Sequence, residues 1–429
     1  MTSQRQKRRG HVHENGATDN PIPSEAQTVD LEKVQSKAAT EADRIAFQVK
    51  WDENDSKNPK NWSPYFKLWM TFMMGLLAFT GSVGSAITNP AEEALVKHFN
   101  ISSEVTVLTM SLFILGFAFG PMFWAPISEA YGRKWSMLPP VFILGLFSIG
   151  SATSESVAAL FATRFLGGFF GSAPISNVAA VLGDFYTPES RGTAMSFYAI
   201  CVVGGPTLSP VIGAAITANK HMGWRWTEYL ESIIAFFAVA LAFFTLPETY
   251  GPVLLKRKAK HLREITGDGR WWHPHESERI NLRNVVTKHF SRPLRKFFSE
   301  ISMLLTEPIV TCVALYASFV YSLMFLMLEV FPIVFREERG FGPVVASLPS
   351  LGLFVGVLCA SCLNILFQPM YIKAVRKNKG RAVPEARSPP MLVGGILFTT
   401  GIFWFGWTAE PSHPWILPVV ASSYVYSVY

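Results

Sequence analysis

Long apolar segments separated by short polar ones dominate the chain from residue 67 onward. A transmembrane helix needs about 20 consecutive apolar residues, because the hydrocarbon core of a bilayer is about 30 Å thick. The segments of that kind cover residues 67–88, 105–128, 136–153, 157–181, 193–218, 229–247, 309–335, 343–367 and 391–408, and a tenth begins at Trp415. The pattern therefore predicts an all-α, polytopic helical membrane protein.

The polar segments divide this series of predicted spans into four parts. Residues 1–66 are polar and are predicted to form a disordered cytoplasmic tail. Residues 67–247 hold six spans, residues 248–308 form a polar central loop, and residues 309–429 hold the remaining spans. This resembles two bundles of six helices of which the second is incomplete, so we expect about nine or ten of twelve spans and a truncated C-terminus.

The composition favours a membrane protein over a soluble enzyme. Hydrophobic residues make up 49% of the chain and charged residues 16%, whereas about a quarter of a soluble chain is charged. The four cysteines all fall in apolar segments, which argues against a disulfide framework. The polar segments contain no nucleophile–base pair, metal-ligand cluster or phosphate-binding loop. The sequence therefore predicts no catalytic residue, no metal and no ATP-driven activity.

The basic residues are distributed unequally between the two sides of the predicted spans. One side carries the tail, the central loop and the loops that follow the even-numbered spans, and it holds 32 Lys and Arg residues. The opposite side holds 5. Because cytoplasmic loops are enriched in basic residues, the N-terminus is predicted to be cytoplasmic. The basic, Trp-containing segment 256–300 is expected to touch anionic lipid, and binding of nucleic acid is not expected.

The loop after the second predicted span combines a carboxylate, a glycine and two cations: Glu129, Gly132, Arg133 and Lys134. Such a group at a helix end can form a charge cluster that is made in one conformation and broken in another. We therefore interpret these four residues as a conformational latch. Glycine pairs four residues apart, such as Gly116 and Gly120, indicate close helix packing rather than transport by themselves.

Ionisable side chains within predicted spans are functional candidates, because their burial in a membrane is costly. Arg164 is the clearest, as a coupling cation or as a structural cation bonded to backbone carbonyls. Glu329 shares a helix face with Ser322 and Ser318, so the three predict a polar path for protons or substrate. A helix-end carboxylate held by Arg336 or Arg339 is the alternative for Glu329.

Two further features lie in the fourth and fifth predicted spans. Asn177 is compatible with substrate contact and equally with packing. The fifth span carries prolines and glycines that favour a bend, because proline removes a helix hydrogen bond and glycine admits a close neighbour. The residues assigned to this bend are Gly205, Pro206, Pro210 and Gly213.

These motifs resemble those of a known family. Segment 125–134 is similar to the signature loop of the major facilitator superfamily, although Ala125, Glu129 and Ala130 replace its Gly, Asp and Arg. Arg164 followed by Gly168, and the glycines and prolines of segment 204–213, resemble motifs of its drug:proton antiporters. Segments 58–63, 188–192, 223–226 and 246–249 look like the fungal twelve-helix group with polyamine and azole-resistance transporters.

The resemblance implies a major facilitator fold and proton-coupled export of drugs, polyamines or secondary metabolites across the plasma membrane. A small-molecule substrate and the lipid bilayer are the implied partners, the proton gradient replaces any cofactor, and a monomer is expected. Two alternatives follow from the missing spans and from the uncertain direction of transport. They are a non-transporting truncated paralogue or sensor, and an amine uptake carrier.

Overall fold

The computed structural model describes residues 46–277, 306–378 and 383–426, and within these ranges the protein is helical with no β-sheet. Nine of the helices in these ranges are long and apolar enough to cross a membrane. They agree with the nine segments predicted from the apolar pattern, and a shorter tenth helix follows Trp415. The prediction of an all-α, polytopic protein is confirmed.

The helices of the described ranges follow one another in chain order. They are α1 (Pro64–Gly84), α2 (Glu92–Phe99), α3 (Ser103–Tyr131), α4 (Arg133–Ala152), α5 (Val157–Phe185), α6 (Pro188–Ala218), α7 (Arg225–Thr245), α8 (Gly251–Thr266), α9 (Pro274–Ser277), α10 (Pro308–Phe331), α11 (Pro343–Ser347), α12 (Ser350–Lys377), α13 (Ser388–Thr408) and α14 (Ile416–Val425). A π-helical turn, Pro332–Glu338, continues α10.

Local sequence signals set several of the helix ends. Ser63 caps α1 by accepting a hydrogen bond from the Phe66 amide at 3.3 Å, and Pro64 follows as the first helical residue. Ser156 caps α5 in the same way through the Ala159 amide. Gly132 separates α3 from α4 with a φ of 101°, a value that a residue with a side chain rarely adopts.

The first six spanning helices pack into one bundle, and α10 to α14 form a second group beside it. The core of the first bundle is rich in methionine and small residues on α1 and α7, such as Met70, Met74 and Ala238. The second core joins α10, α12, α13 and α14 and includes Val203 of α6. Helix α6 also packs along α12, so it is the main connection between the two groups.

The segment before α1 is more ordered than the sequence predicted. The Val49 amide donates to the Trp272 carbonyl at 3.0 Å, which ties this segment to the chain beyond α8. Lys258 of α8 pairs with Asp52 at 2.9 Å and with Asp55 at 2.7 Å. Its hydrogen bond holds the pKa of the Asp55 carboxyl below its usual value. The predicted disordered tail 1–66 is thus corrected for residues 46–66, whereas residues 1–45 lie outside the described ranges.

The predicted central loop 248–308 contains helical structure. Helix α8 occupies its first part, and Arg263 near the end of α8 pairs with Glu276 of α9 at 2.5 Å. Residues 278–305 lie outside the described ranges. The central loop is therefore a folded platform in its first thirty residues, to which the segment before α1 is bound.

Candidate functional site

A fully buried ion cluster joins α5 to α7 inside the first bundle. The Arg164 guanidinium on α5 lies 3.2 Å from the Glu228 carboxylate and 3.7 Å from the Glu231 carboxylate on α7, and all three side chains are 1% exposed. Arg164 also donates to the Gly84 carbonyl at 2.7 Å and to the Thr109 carbonyl at 3.3 Å. One arginine therefore connects α1, α3, α5 and α7.

The cluster contains more acidic than basic groups. Two carboxylates face one guanidinium, which also lies over the Phe113 ring at 4.4 Å. In the described part of the chain, Oε2 of Glu228 and both carboxylate oxygens of Glu231 lack a hydrogen-bond partner. Burial of a charge without compensation is costly, so the second carboxylate makes this cluster a candidate functional site.

The contacts of Arg164 are compatible with both roles considered from the sequence. Arg164 donates to backbone carbonyls, as a structural cation does, and it also pairs with carboxylates, as expected of a coupling cation. Sequence reasoning missed Glu228 and Glu231, although Glu231 lies within the predicted span 229–247. Their spacing of three residues places both on one face of α7. Two acidic residues on one face at the start of an apolar segment were the signal that could have found them.

Glu329 lies near the end of α10 and contacts the first bundle. Its Oε1 accepts a hydrogen bond from the Asn89 side chain at 2.8 Å. Neither arginine of the alternative interpretation holds it. Arg336 pairs with Glu93 at 2.7 Å, and Arg339 donates to the backbone carbonyls of residues 408–410 and 413. Glu329 therefore belongs to a contact between the two groups of helices.

The predicted polar stripe on α10 differs from the structure. Ser318 and Ser322 are exposed on the helix surface and do not line the central cavity. The lining that α10 contributes is mainly apolar, from Tyr321, Met324, Phe325 and Leu328. The helix turns this face inward because it packs against the second core. Ser318 and Ser322 therefore do not share this cavity, and a proton path through them and Glu329 stays a prediction.

Asn177 is buried on α5 and is bonded to protein backbone. Its side-chain amide donates to the Ala173 carbonyl at 2.9 Å, with the Trp124 carbonyl of α3 at 3.5 Å. Of the two interpretations of this residue, the geometry favours packing.

The proline and glycine segment of α6 lies against the C-terminal end of α1. A side chain at Gly205 would collide with Ser82, and one at Gly213 would collide with the Ile87 carbonyl. These two glycines permit a close approach of the backbones. Pro206 lines the central cavity, whereas Pro210 lines a second cavity nearer the end of the helix. Bending at these prolines stays a prediction.

A cavity of about 280 Å³ lies between the first bundle and α10. Its walls are apolar except for a few hydroxyl groups, and none of its lining residues is Asp, Glu, Lys or Arg. The lining residues are Ser82, Ser85, Ile114, Phe117, Ala118, Ile175, Val202, Val203, Pro206, Tyr321, Met324, Phe325, Leu328 and Tyr426. Such a concave, mainly apolar surface suits a small lipophilic ligand.

Arg133 of the predicted latch contacts carboxylates other than Glu129. Arg133 pairs with Asp184 at the end of α5 at 3.1 Å. Glu248, after α7, accepts hydrogen bonds from the amides of Arg133 at 2.8 Å and Lys134 at 3.3 Å. A carboxylate there compensates the unpaired amides and the dipole at the start of α4. Glu129 is exposed, so the sequence placed the acidic partner on the wrong residue.

The members of this cluster all belong to the first bundle within the described ranges. Gly132 allows the tight turn that brings the first amides of α4 to Glu248, which also accepts from the Thr249 and Tyr250 amides at 3.0 and 2.9 Å. Lys134 donates to the Phe243 carbonyl at 2.8 Å. The cluster therefore fixes α4, α5 and the end of α7 to one another, and its role as a latch stays a prediction.

Replacing Glu248 with alanine is expected to lower the stability of the protein by about 1–3 kcal/mol, because buried amide groups lose their acceptor. The change is measured as a lower midpoint of thermal unfolding in detergent. Glu129→Ala is the matched control, and it should leave the midpoint unchanged since Glu129 is exposed. Equal midpoints for the two variants would contradict the assignment of Glu248 to this cluster.

Comparison with known proteins agrees with this architecture. The family model described as Major Facilitator Superfamily matches residues 74–428. The multidrug transporter FLU1 of Candida albicans is 37% identical over 385 residues, which is 89% of this chain and 62% of FLU1. The efflux pump bik6 of Gibberella fujikuroi is 39% identical over 365 residues, or 85% of this chain and 73% of that protein. This chain thus spans less than two thirds of the length of FLU1.

Solved structures show the same fold at low sequence identity. The proton:xylose symporter XylE, from E. coli, superposes with a TM-score of 0.60 and 17% identity over 85% of this chain and 80% of XylE. A bacterial homologue of the human lysosomal transporter Spinster gives a TM-score of 0.58 and 14% identity over 86% of this chain and 74% of that one. The predicted major facilitator fold is therefore confirmed.

The relatives are transporters rather than enzymes, as the sequence predicted. Their match extends over both groups of helices and includes the Arg133 turn, the Arg164 cluster and the cavity-lining segments. The chain is thus a multi-pass membrane protein that belongs to the Major Facilitator Superfamily and is homologous to its fungal multidrug transporters.

Proposed function

We propose that this chain exports small lipophilic or amphipathic compounds across the plasma membrane in exchange for protons. The single observation that carries the proposal is the apolar cavity of about 280 Å³ between the two groups of helices. Its place between the two groups of helices suits alternating access, in which such groups rock against each other around a central site. The named activities of FLU1 and bik6, multidrug transport and efflux, support the same direction.

The lining of the cavity favours lipophilic substrates over polyamines. A polyamine that leaves water needs carboxylates to replace its hydration, because burial of unpaired charge is costly. The cavity offers the hydroxyls of Ser82, Ser85 and Tyr321 but no carboxylate among its lining residues. Drugs and secondary metabolites with aromatic or aliphatic bodies and few charges therefore fit it best.

Two further cavities lie along α6 on either side of the central one. One, of about 300 Å³, is lined by Gly192 and Ser196 near the start of α6, and the other, of about 230 Å³, by Pro210 nearer its end. The Asn89–Glu329 and Glu93–Arg336 contacts connect the two groups of helices beside the second of these. We propose that these two contacts close the outer end of the path and break when it opens.

The proposed orientation follows the distribution of basic residues. The side that holds 32 of them carries the N-terminus and faces the cytoplasm. The protein acts as a monomer in the plasma membrane, and the proton gradient supplies the driving force without a bound cofactor. Glu189 on this cytoplasmic side contacts Gln368 of α12 through its carbonyl at 2.6 Å, a contact that movement of the two groups would change.

Filling the central cavity tests the proposal. Ala118 of α3 is open to the cavity, so Ala118→Trp is expected to abolish export of a lipophilic dye from cells while the protein still reaches the membrane. Leu115→Trp is the matched control, because Leu115 is 46% exposed and does not line the cavity. Export that is unchanged in Ala118→Trp would contradict a substrate path through this cavity.

A further inference from the structure

The Arg164 cluster holds one carboxylate more than its cation can balance. Glu228, Glu231 and Arg164 are each 1% exposed or less, so water does not compensate the excess charge. A buried, uncompensated carboxylate is costly, and a bound proton removes that cost. The geometry therefore requires a proton on one of the two carboxyl groups for the cluster to be neutral.

The two carboxylates are not equivalent. Glu228 accepts a hydrogen bond from Arg164 at 3.2 Å and is its direct ion-pair partner. Glu231 approaches Arg164 only to 3.7 Å, and neither of its oxygens has a hydrogen-bond partner in the described ranges. The proton is therefore better placed on Glu231, and Arg164 and Glu228 remain a neutral pair.

The groups that face Glu231 come from three other helices. Arg164 of α5 approaches it at 3.7 Å, and Gly84 of α1 lies so close that a side chain there would overlap its Oε1. Ser148 of α4 also faces it, but its hydroxyl donates to the Leu144 carbonyl at 3.0 Å. Among the described residues, Arg164 and Glu228 are thus the ionisable groups beside Glu231.

One short part of α1 and its C-terminal cap lies between this carboxyl group and the central cavity. Ser82 and Ser85 line the cavity, whereas Gly84 between them touches Glu231 and accepts from Arg164 through its carbonyl. Gly205 of α6 also packs against Ser82. A ligand that displaces residues 82–85 therefore also changes the space and the hydrogen bonding around Glu231.

We propose that Glu231 carries the coupling proton and that residues 82–85 connect its protonation to occupancy of the cavity. This rests on the proposed function of proton-coupled export. With the site open to the outside, the Glu231 carboxylate takes a proton from a hydronium ion, forms an O–H bond and leaves a water molecule. With the site open to the cytoplasm, that bond breaks, the proton passes to water, and the carboxylate favours the substrate-loaded arrangement.

The experiment compares Glu231→Gln with wild-type protein in proteoliposomes. Glutamine keeps the shape of the side chain but binds no proton. Export driven by a pH gradient is expected to be lost. Exchange of labelled for unlabelled substrate is expected to be as slow at alkaline pH as wild-type exchange is at acidic pH, because glutamine resembles the protonated carboxyl group, which disfavours the substrate-loaded arrangement. Glu155→Gln, which changes an exposed carboxylate in a loop, is the control that should retain both activities.

A spectroscopic measurement separates this inference from the proposed function. Infrared difference spectra of the solubilised protein between acidic and basic pH should show the carbonyl stretch of a protonated carboxyl group that is absent from Glu231→Gln and present in Glu155→Gln. If wild-type protein transports nothing, loss of this band in Glu231→Gln still supports a proton site. The assignment would be overturned if gradient-driven export survives in Glu231→Gln. It would also be overturned if Glu329→Gln loses this export while Glu231→Gln keeps it.

Discussion

Replacing Arg164 with alanine is expected to reduce the amount of folded protein sharply and to abolish export. The change leaves Glu228 and Glu231 buried beside each other without a cation in the described part of the chain. Removal of one partner from a buried ion pair costs about 3–5 kcal/mol. The Gly84 and Thr109 carbonyls also lose their donor. Size-exclusion chromatography and thermal unfolding in detergent measure the effect.

A triple substitution separates the structural role of this cluster from its role in coupling. Arg164→Met combined with Glu228→Met and Glu231→Met replaces all three charged side chains with apolar ones of similar volume, which is often neutral for stability. We expect it to recover most of the unfolding midpoint that Arg164→Ala loses, without recovering gradient-driven export. An Arg164→Ala protein as stable as wild type, or a triple variant no more stable than Arg164→Ala, would show that charge balance does not stabilise this cluster.

Adding one methyl group at Gly168 is expected to weaken the contact between α3 and α5. A Cβ atom there would overlap the Phe113 carbonyl, which is backbone and cannot rotate away. The helices must separate, and the Phe113 ring would then move from its place over the Arg164 guanidinium. We therefore expect Gly168→Ala to lower the unfolding midpoint and to reduce export in proportion to the folded protein lost.

Gly395→Ala is the matched control for this substitution. Gly395 lies within α13, and no atom lies within 4 Å of a Cβ built there. The same methyl group should leave stability unchanged or raise it slightly, since alanine restricts the unfolded backbone more than glycine does. A Gly168→Ala protein that unfolds at the same temperature as Gly395→Ala would contradict close packing of α3 on α5.

The positions of the spanning helices were predictable because the signal is local. A run of apolar residues must be helical in a bilayer, since each backbone polar group needs a partner within the segment. The predicted span 105–128 and the helix Ser103–Tyr131 differ only at their ends. Gly116 and Gly120 were predicted to lie on a packing surface from an equally local pattern, and both lie against α5.

The partners of the charged residues were not predictable in the same way. Arg164 and Glu228 are 64 residues apart in the chain, and Arg133 and Glu248 are 115 apart. Such pairs depend on which helices become neighbours, which a local pattern does not specify. The sequence therefore identified Arg164, Arg133 and Glu329 as candidates. It assigned an acidic partner to Arg133 and a basic partner to Glu329, and in the structure other residues take both places.

The sequence pattern did not predict that residues 46–66 are ordered, because the residues that hold this segment in place lie elsewhere in the chain. The segment is polar, which is typical of disorder, but its contacts are made with Lys258 and Trp272 beyond the sixth span. A polar segment is ordered when a folded surface supplies hydrogen bonds and ion pairs. Composition alone does not reveal such a surface.

Coupling of substrate movement to proton movement can be measured with the purified protein. The full chain is reconstituted into vesicles with an acidic lumen, and a lipophilic dye that does not titrate is added outside, with protein-free vesicles as the control. We predict that the dye accumulates in the lumen against its gradient while the lumen becomes less acidic. The protein molecules that carry it are those inserted with their cytoplasmic face toward the outside of the vesicle. Dye movement at the same rate with and without the pH gradient, with no change in lumenal pH, would contradict proton-coupled export.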